Sequence, residues 1–187
     1  MKDTFVLHQE HFAPSTLDEM IKSGLKIEPV PAKIGTAQGV DENVRRSKLR
    51  WIQRDNEDYS TVFPVFDKMF HEANRKSFGF DIQWLPSIQF TEYPAESQGH
   101  YDWHVDVFWE TQEFYQRKLS MVVQLSDPGD YEGGELQLDE WKRPDPDLLK
   151  KRGSVIIFPS FIKHRVTPVT KGIRRSLVAW IEGPLWR

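Results

Sequence analysis

The run Leu119-Ser120-Met121-Val122-Val123-Gln124-Leu125 is almost continuously apolar. Such a run, seven residues long and bounded by turn signals, is expected of a strand buried on both faces. Asp127-Pro128-Gly129-Asp130 and Gly133-Gly134 follow it and read as turns. Residues 135–138 alternate polar and apolar, the pattern of a half-buried strand. Residues 143–151 are Pro-rich and charged and read as a surface connection. Two more strands are expected, at 154–158 and 174–181, and upstream residues 83–92 are β-prone and aromatic.

Before Gly79 the period is helical. Residues 15–22 read as a helix with Leu17, Met20 and Ile21 as its apolar stripe, Ser15 as its cap and Gly24 as its stop. Residues 60–76 read as a second helix, because Phe63, Phe66, Phe70 and Ala73 recur three and four apart; Pro64 must then lie in its first turn. Segment 35–43 is polar and contains Gly, which predicts a loop able to act as a lid. Helices first, then short strands without helices between them, predict an α+β fold with an antiparallel core. A jelly-roll core handles six to eight such strands without long open edges. One domain over 1–187 is expected, helical over about 1–80 and β over about 81–187, with the N-terminal helices packed on one sheet.

Composition narrows the chemistry. There is no Cys, so a disulfide framework and thiolate metal sites are excluded; any metal must be held by His, carboxylates and water. The net charge of -3 argues against a general nucleic-acid binder. The local cluster Arg45, Arg46, Lys48, Arg50 and Arg54 is expected as a solvated edge, with a substrate-facing rim as the alternative. Residues 1–5 show no basic and apolar leader, and no run approaches the roughly 20 apolar residues of a membrane span. A cytoplasmic location is the resulting expectation. Seven Trp suggest either an aromatic-lined pocket or a Trp-rich core.

The sharpest local signal is Gly99-His100-Tyr101-Asp102-Trp103-His104-Val105-Asp106. Strand residues two apart share a face, about 7 Å along the backbone, so His104 and Asp106 can converge on one ion. His164 follows a buried strand and the turn Pro159-Ser160, and a β fold can return it to the same mouth. Two imidazoles and a carboxylate leave three positions of an ion open, the arrangement of non-haem Fe(II) oxygenases. Ten residues past His164 comes Arg174. Alternation puts Arg174, Ser176, Val178 and Trp180 on one face, and a guanidinium pointing into a β core demands an anion. The opposite phase would point Arg175 inward. Trp103, Phe108 and Trp109 flank the His-x-Asp pair as a candidate aromatic rim.

In these features the chain resembles the 2-oxoglutarate and Fe(II)-dependent dioxygenases of the prolyl-4-hydroxylase-like group. The resemblance covers about 83–186. It rests on Tyr93, Tyr101, His104-x-Asp106, Glu132-Gly133-Gly134-Glu135-Leu136, Gly153-Ser154, Phe158-Pro159 and the His164-to-Arg174 spacing. It implies a double-stranded β-helix, with Fe(II) on His104, Asp106 and His164. It implies 2-oxoglutarate as co-substrate with its distal carboxylate on Arg174, and Ser176 and Tyr93 lending hydroxyls. Trp180 would wall the pocket and Tyr101 would lie near the iron. O2 completes the set, with ascorbate as an accessory reductant. One departure stands out: Met121-Val122-Val123-Gln124-Leu125 lacks the tyrosine many relatives carry there, which moves or removes one hydrogen bond to the co-substrate. The implied activity is hydroxylation of an unactivated C–H bond, as a prolyl hydroxylase of a peptide or protein, with succinate and CO2 as co-products. Retention of Asp106 favours hydroxylation over halogenation. The alternatives are a free amino acid or other small molecule as substrate, a zinc hydrolase on the same triad, and a metal-binding module without turnover.

Overall fold

Strand β7 (Tyr115–Gln124), which holds the apolar run up to Gln124, lies in the middle of a large antiparallel sheet in a computed structural model that describes residues 1–31, 43–110 and 113–186. In chain order the elements are β1 (Val6–His8), α1 (Pro14–Leu25), β2 (Val30–Pro31), β3 (Arg45–Arg46), β4 (Lys48–Gln53), α2 (Val62–Ala73), β5 (Ser87–Pro94) and β6 (His100–His104). After β7 come β8 (Tyr131–Gly133), β9 (Leu136–Leu138), α3 (Pro146–Lys150), β10 (Val155–Pro159), β11 (His164–Val166) and β12 (Val169–Pro184). The large sheet runs β1-β10-β7-β12-β5-β4-β2, with β8 added against β12. The small sheet runs β3-β6-β11-β9. This is the expected double-stranded β-helix with helices on one sheet.

Alternation along the strands divides the large sheet into two faces. Leu119, Met121 and Val123 of β7, Leu177, Ala179 and Ile181 of β12, and Ile88 and Phe90 of β5 join the buried cluster that includes Phe66 and Phe70 of α2. The intervening residues, Ser120, Val122 and Gln124 or Arg174, Ser176 and Val178, face the small sheet. That phase is fixed because a one-residue slip would exchange the two sets.

The helices form where their apolar stripes predict, with different ends. The residue flanking α1 is Ala13, in extended geometry and without a side-chain cap; Pro14 takes the first helical position, so Ser15 lies inside and does not cap. Gly24 is within α1, not its stop. A Cβ there would stand 2.5 Å from the Phe90 ring, so glycine lets the helix lie against β5. Helix α2 continues into a π-helical turn, Asn74–Phe78, that ends at Gly79 in left-handed geometry.

Two expectations about the N-terminal part need correcting. Residues 1–80 are not only helical: β1 pairs with β10, and β4 pairs with β5 from Lys48↔Glu92 to Gln53↔Ser87. The basic cluster is not simply a solvated edge, since Arg45 and Arg50 are 6 % and 8 % exposed. Arg50 pairs with Glu92 and donates to the Ile27 carbonyl. Composition marked the segment as surface, but β pairing turns alternate side chains inward whatever their charge. Residues 143–151 likewise contain a short helix, α3, whose first turn is capped by Asp145. Segment 35–43 lies outside the described residues apart from Asn43. Among the described residues, no helix is long and apolar enough to cross a membrane.

Candidate active site

The two sheets enclose a cavity of about 280 Å³ with His104, Asp106 and His164 in its wall. His104 ends β6, His164 opens β11, and the two are register partners. Asp106 is held differently from expectation. Strand β6 stops at His104, so alternation does not aim Asp106. Instead its backbone N–H donates to the Ser160 carbonyl at 2.8 Å, and the Ser120 hydroxyl donates to Oδ2 at 2.7 Å. Ser160 Oγ lies 3.0 Å from Ser120 Oγ and extends the chain.

The donor atoms converge. His104 Nε2 is 3.6 Å from Asp106 Oδ1, and His164 Nε2 is 3.5 Å from Asp106 Oδ2. One ligand atom from each of the three lies within 4.8 Å of the others. Both rings are oriented by their other nitrogen. Nδ1–H of His104 donates to the Asp102 carbonyl at 2.7 Å, and Nδ1–H of His164 to the Ile162 carbonyl at 2.9 Å. That fixes the tautomer and leaves each Nε2 lone pair facing the common point, the usual support of a metal-binding imidazole.

Protonation agrees with ligation. Burial, aided by repulsion from His164, pushes His104 down to about 3 against the pull of Asp106. Burial opposes the Asp106 anion, yet His164, His104, Arg117 and the Ser120 hydrogen bond outweigh it and hold the carboxyl at about 2. At neutral pH the wall therefore offers a carboxylate and an unprotonated His104. The set fits Fe(II), with nitrogen and oxygen donors on one side and open positions toward the cavity.

Deeper in the cavity, Arg174 is 3 % exposed. Its guanidinium has no hydrogen-bond or ion-pair partner among the described residues and lies 5.6 Å from the Tyr93 ring. The strand phase is thus the expected one: Arg175 points to the other face and pairs with Glu92 at 3.1 Å. Further polar atoms are unmatched. Ser176 Oγ, Gln124 Oε1 and Trp180 Nε1 are buried without a partner among the described residues. Buried groups of this kind are costly unless something binds them. Tyr93, Ser176 and Trp180 all line the cavity, as the sequence suggested.

Tyr101 also lines it, stacked on His104 with centroids 3.4 Å apart. Burial raises its hydroxyl to about 12, so it remains a donor at neutral pH. The expected aromatic rim is only partly present. Phe108 lines the cavity. Trp103 packs under Arg165 at 4.7 Å instead, and Trp109 is 60 % exposed. Sequence reasoning overlooked Ser120 and Arg117, and held a substrate-facing role for Arg45 only as the alternative to a solvated edge. The signal for Ser120 was present: it is a lone hydroxyl in an apolar strand. Gly133, with positive φ, brings β8 against Pro168, where any Cβ would be 2.2 Å from the carbonyl oxygen.

Residues 88–182 match the 2OG-Fe(II) oxygenase superfamily. A PKHD-type hydroxylase of Alteromonas mediterranea is 38 % identical over 173 residues, covering 89 % of this chain and 74 % of the relative. Against three further PKHD-type hydroxylases, at 37–41 % identity, the match spans only 39–43 % of the relative's own length. Among solved structures, a Pseudomonas putida prolyl-4-hydroxylase superposes with TM-score 0.74 at 19 % identity, covering 97 % of this chain and 94 % of that one. A Trichoplax adhaerens prolyl hydroxylase, bound to a peptide fragment of the hypoxia inducible factor oxygen degradation domain, gives 0.75 at 18 % identity, covering 95 % and 83 %. These two structures share its fold.

Proposed function

The chain belongs to the 2OG-Fe(II) oxygenase superfamily, and from that premise we propose that it is an Fe(II)- and 2-oxoglutarate-dependent dioxygenase that hydroxylates an unactivated C–H bond. Its proposed substrate is proline in a peptide or protein. The observation that carries the activity is the pairing, in one cavity, of a convergent His-Asp-His set with a buried arginine that has no partner among the described residues.

In this reading His104, Asp106 and His164 hold the metal through Nε2, a carboxylate oxygen and Nε2. Arg174 receives the distal carboxylate of 2-oxoglutarate, since a planar guanidinium fork matches a carboxylate. The Ser176 and Tyr93 hydroxyls complete that contact. Gln124, which is paired in register with Ser176 and occupies the stretch without the tyrosine, keeps an Oε1 without a partner among the described residues, while its amide nitrogen donates to the Ser126 carbonyl and the Tyr131 hydroxyl. Trp180 and Val178 wall the cavity and keep water from the reacting centre. When bound, Fe(II) with 2-oxoglutarate and O2 supplies the oxidising chemistry, yielding succinate, CO2 and a hydroxylated product. The peptide reading is supported by the prolyl hydroxylase fold of the neighbours, one of them solved with a peptide. A cytoplasmic location is part of the same proposal.

The test is succinate release on adding Fe(II), ascorbate and 2-oxoglutarate under air, with Pro-containing peptides read for a mass gain of one oxygen atom. Succinate release together with that gain supports the full proposal. Succinate release without it would redirect the substrate to a free amino acid or other small molecule. No succinate, and no visible charge-transfer band in the anaerobic complex with Fe(II) and 2-oxoglutarate, would overturn the oxygenase reading.

A further inference from the structure

The cavity has a second cationic end. Arg117 and Arg45 line it beside the triad, opposite in role to Arg174. Arg45 is 6 % exposed; its Nε donates to Ser47, and its two terminal amino groups have no partner among the described residues. It lies 4.3 Å over the Tyr101 ring, which itself stacks on His104. Arg117 lies 3.8 Å over the Trp180 ring and 5.4 Å from Phe108. No described carboxylate reaches ion-pair distance of it. Asp106 and Glu182 act on it from farther away; Glu182 lines a neighbouring cleft that Arg117 also borders, and does not line this cavity. Stacking orients the fork without using its N–H groups. Trp180, whose ring lies under Arg117 in the same lining, adds a third donor in its buried Nε1, which has no partner among the described residues.

The polar inventory is therefore lopsided. The described lining offers three arginines and an orphan indole N–H, against a single carboxylate, Asp106, which the metal would take. Two carboxylates of 2-oxoglutarate satisfy the metal and Arg174. Arg117, Arg45 and Trp180 are left without an acceptor.

We propose that Arg117, Arg45 and the Trp180 indole N–H form a binding site for a carboxylate of the primary substrate, close to the carbon that is oxidised. The inference rests on the oxygenase reading and narrows its substrate to an acid. The carboxylate belongs to a free amino or small organic acid, or to the terminal or acidic residue of a peptide; the chemistry recognised is the same.

The probe is acetate against acetamide, titrated calorimetrically into the anaerobic Fe(II) protein saturated with 2-oxoglutarate. Acetate is expected to bind saturably and acetamide not. Arg117→Gln is expected to weaken acetate about tenfold, the scale of one charge-assisted hydrogen bond. Arg117→Lys should recover part of the loss, and the 2-oxoglutarate dissociation constant should be unchanged in both, which also reports an intact fold. Acetate binding that ignores Arg117→Gln, or no saturable acetate binding, overturns the proposal. A variant that weakens 2-oxoglutarate instead also overturns it, because Arg117 would then serve the co-substrate. Failure of the wild-type protein to bind 2-oxoglutarate at all would sink the oxygenase reading separately. Under air, L-proline, L-prolinamide, a peptide with a free terminal carboxylate and one blocked at both ends are compared for 2-oxoglutarate consumption. Stimulation by the free acid or by the acidic peptide identifies the source. Equal stimulation by the neutral compounds, undiminished in Arg117→Gln, counts against the site.

Discussion

The two faces of the large sheet are built from the same strands and do opposite things. On the helix side Leu177, Ala179 and Ile181 are fully buried among Phe66, Phe70 and Ile88, with no polar atom to satisfy. On the cavity side Arg174, Ser176 and Trp180 of the same strand are also buried, yet keep unmatched donors among the described residues. One face lowers the free energy of the fold by removing apolar surface from water. The other leaves polar groups desolvated, a cost that the opposite face offsets and that the proposed co-substrate would relieve. Stability and chemistry are thus interleaved with a period of two residues, and single substitutions should separate them.

The largest expected effect lies on the cavity side. Asp106→Ala should reduce iron-dependent succinate release to background while far-ultraviolet circular dichroism stays native. On the helix side, Leu177→Ala should cost about 2–5 kcal/mol in urea unfolding, the range for a buried leucine, with turnover per folded molecule retained. If it abolished turnover in the folded protein, the two faces would not be separable. Back on the cavity side, Arg174→Ala should raise the 2-oxoglutarate requirement about 10- to 100-fold with iron still bound, the scale of a lost ionic hydrogen-bonded pair. Arg175→Ala, one residue away on the other face, should change that requirement less than about threefold. A reversal of the two would mean that the strand phase is inverted.

Acid should expose the cost of the cavity side. In the metal-free protein His104 is lowered from 6.5 to about 3, chiefly by burial, so between those values the unfolded chain binds more protons than the folded one. Stability then falls as pH drops from 6.5 toward 3. Asp106, lowered from 3.8 to about 2, adds a further loss below 3.8. The urea midpoint should decline over this window, and His104→Gln should flatten the upper part of the decline. An equal decline in His104→Gln would assign it elsewhere.

Much of this was legible in the chain. Apolar period distinguished helices α1 and α2 from the later strands, because burial imposes 3.6- and 2-residue periods on any sequence that packs. The His-x-Asp pair and His164 were found from residue type and spacing, which left Arg174 and Arg175 as alternatives until the family resemblance favoured Arg174. Strands β1, β3 and β4 were not, because two are only two or three residues long and β4 carries a basic cluster that reads as surface. Arg117 was missed, and Arg45 was placed at a substrate-facing rim only as the second choice, for the same reason: charge in a sequence signals solvent until a partner strand covers it.

The sequence by itself determined the donor types, the metal class they suit, and the two alternating sets of residues on each strand. Only the tertiary structure decided which set faced the cavity, that Asp106 is aimed by Ser160 and Ser120 rather than by its strand, and that Arg117 and Arg45 join the triad. Those outcomes depend on contacts between segments distant in the chain. Arg45 meets Tyr101 through β3–β6 pairing, and Asp106 meets Ser160 across the gap between the sheets. Residue type and spacing carry no record of such meetings, since they are set by register and closure of the whole β-helix.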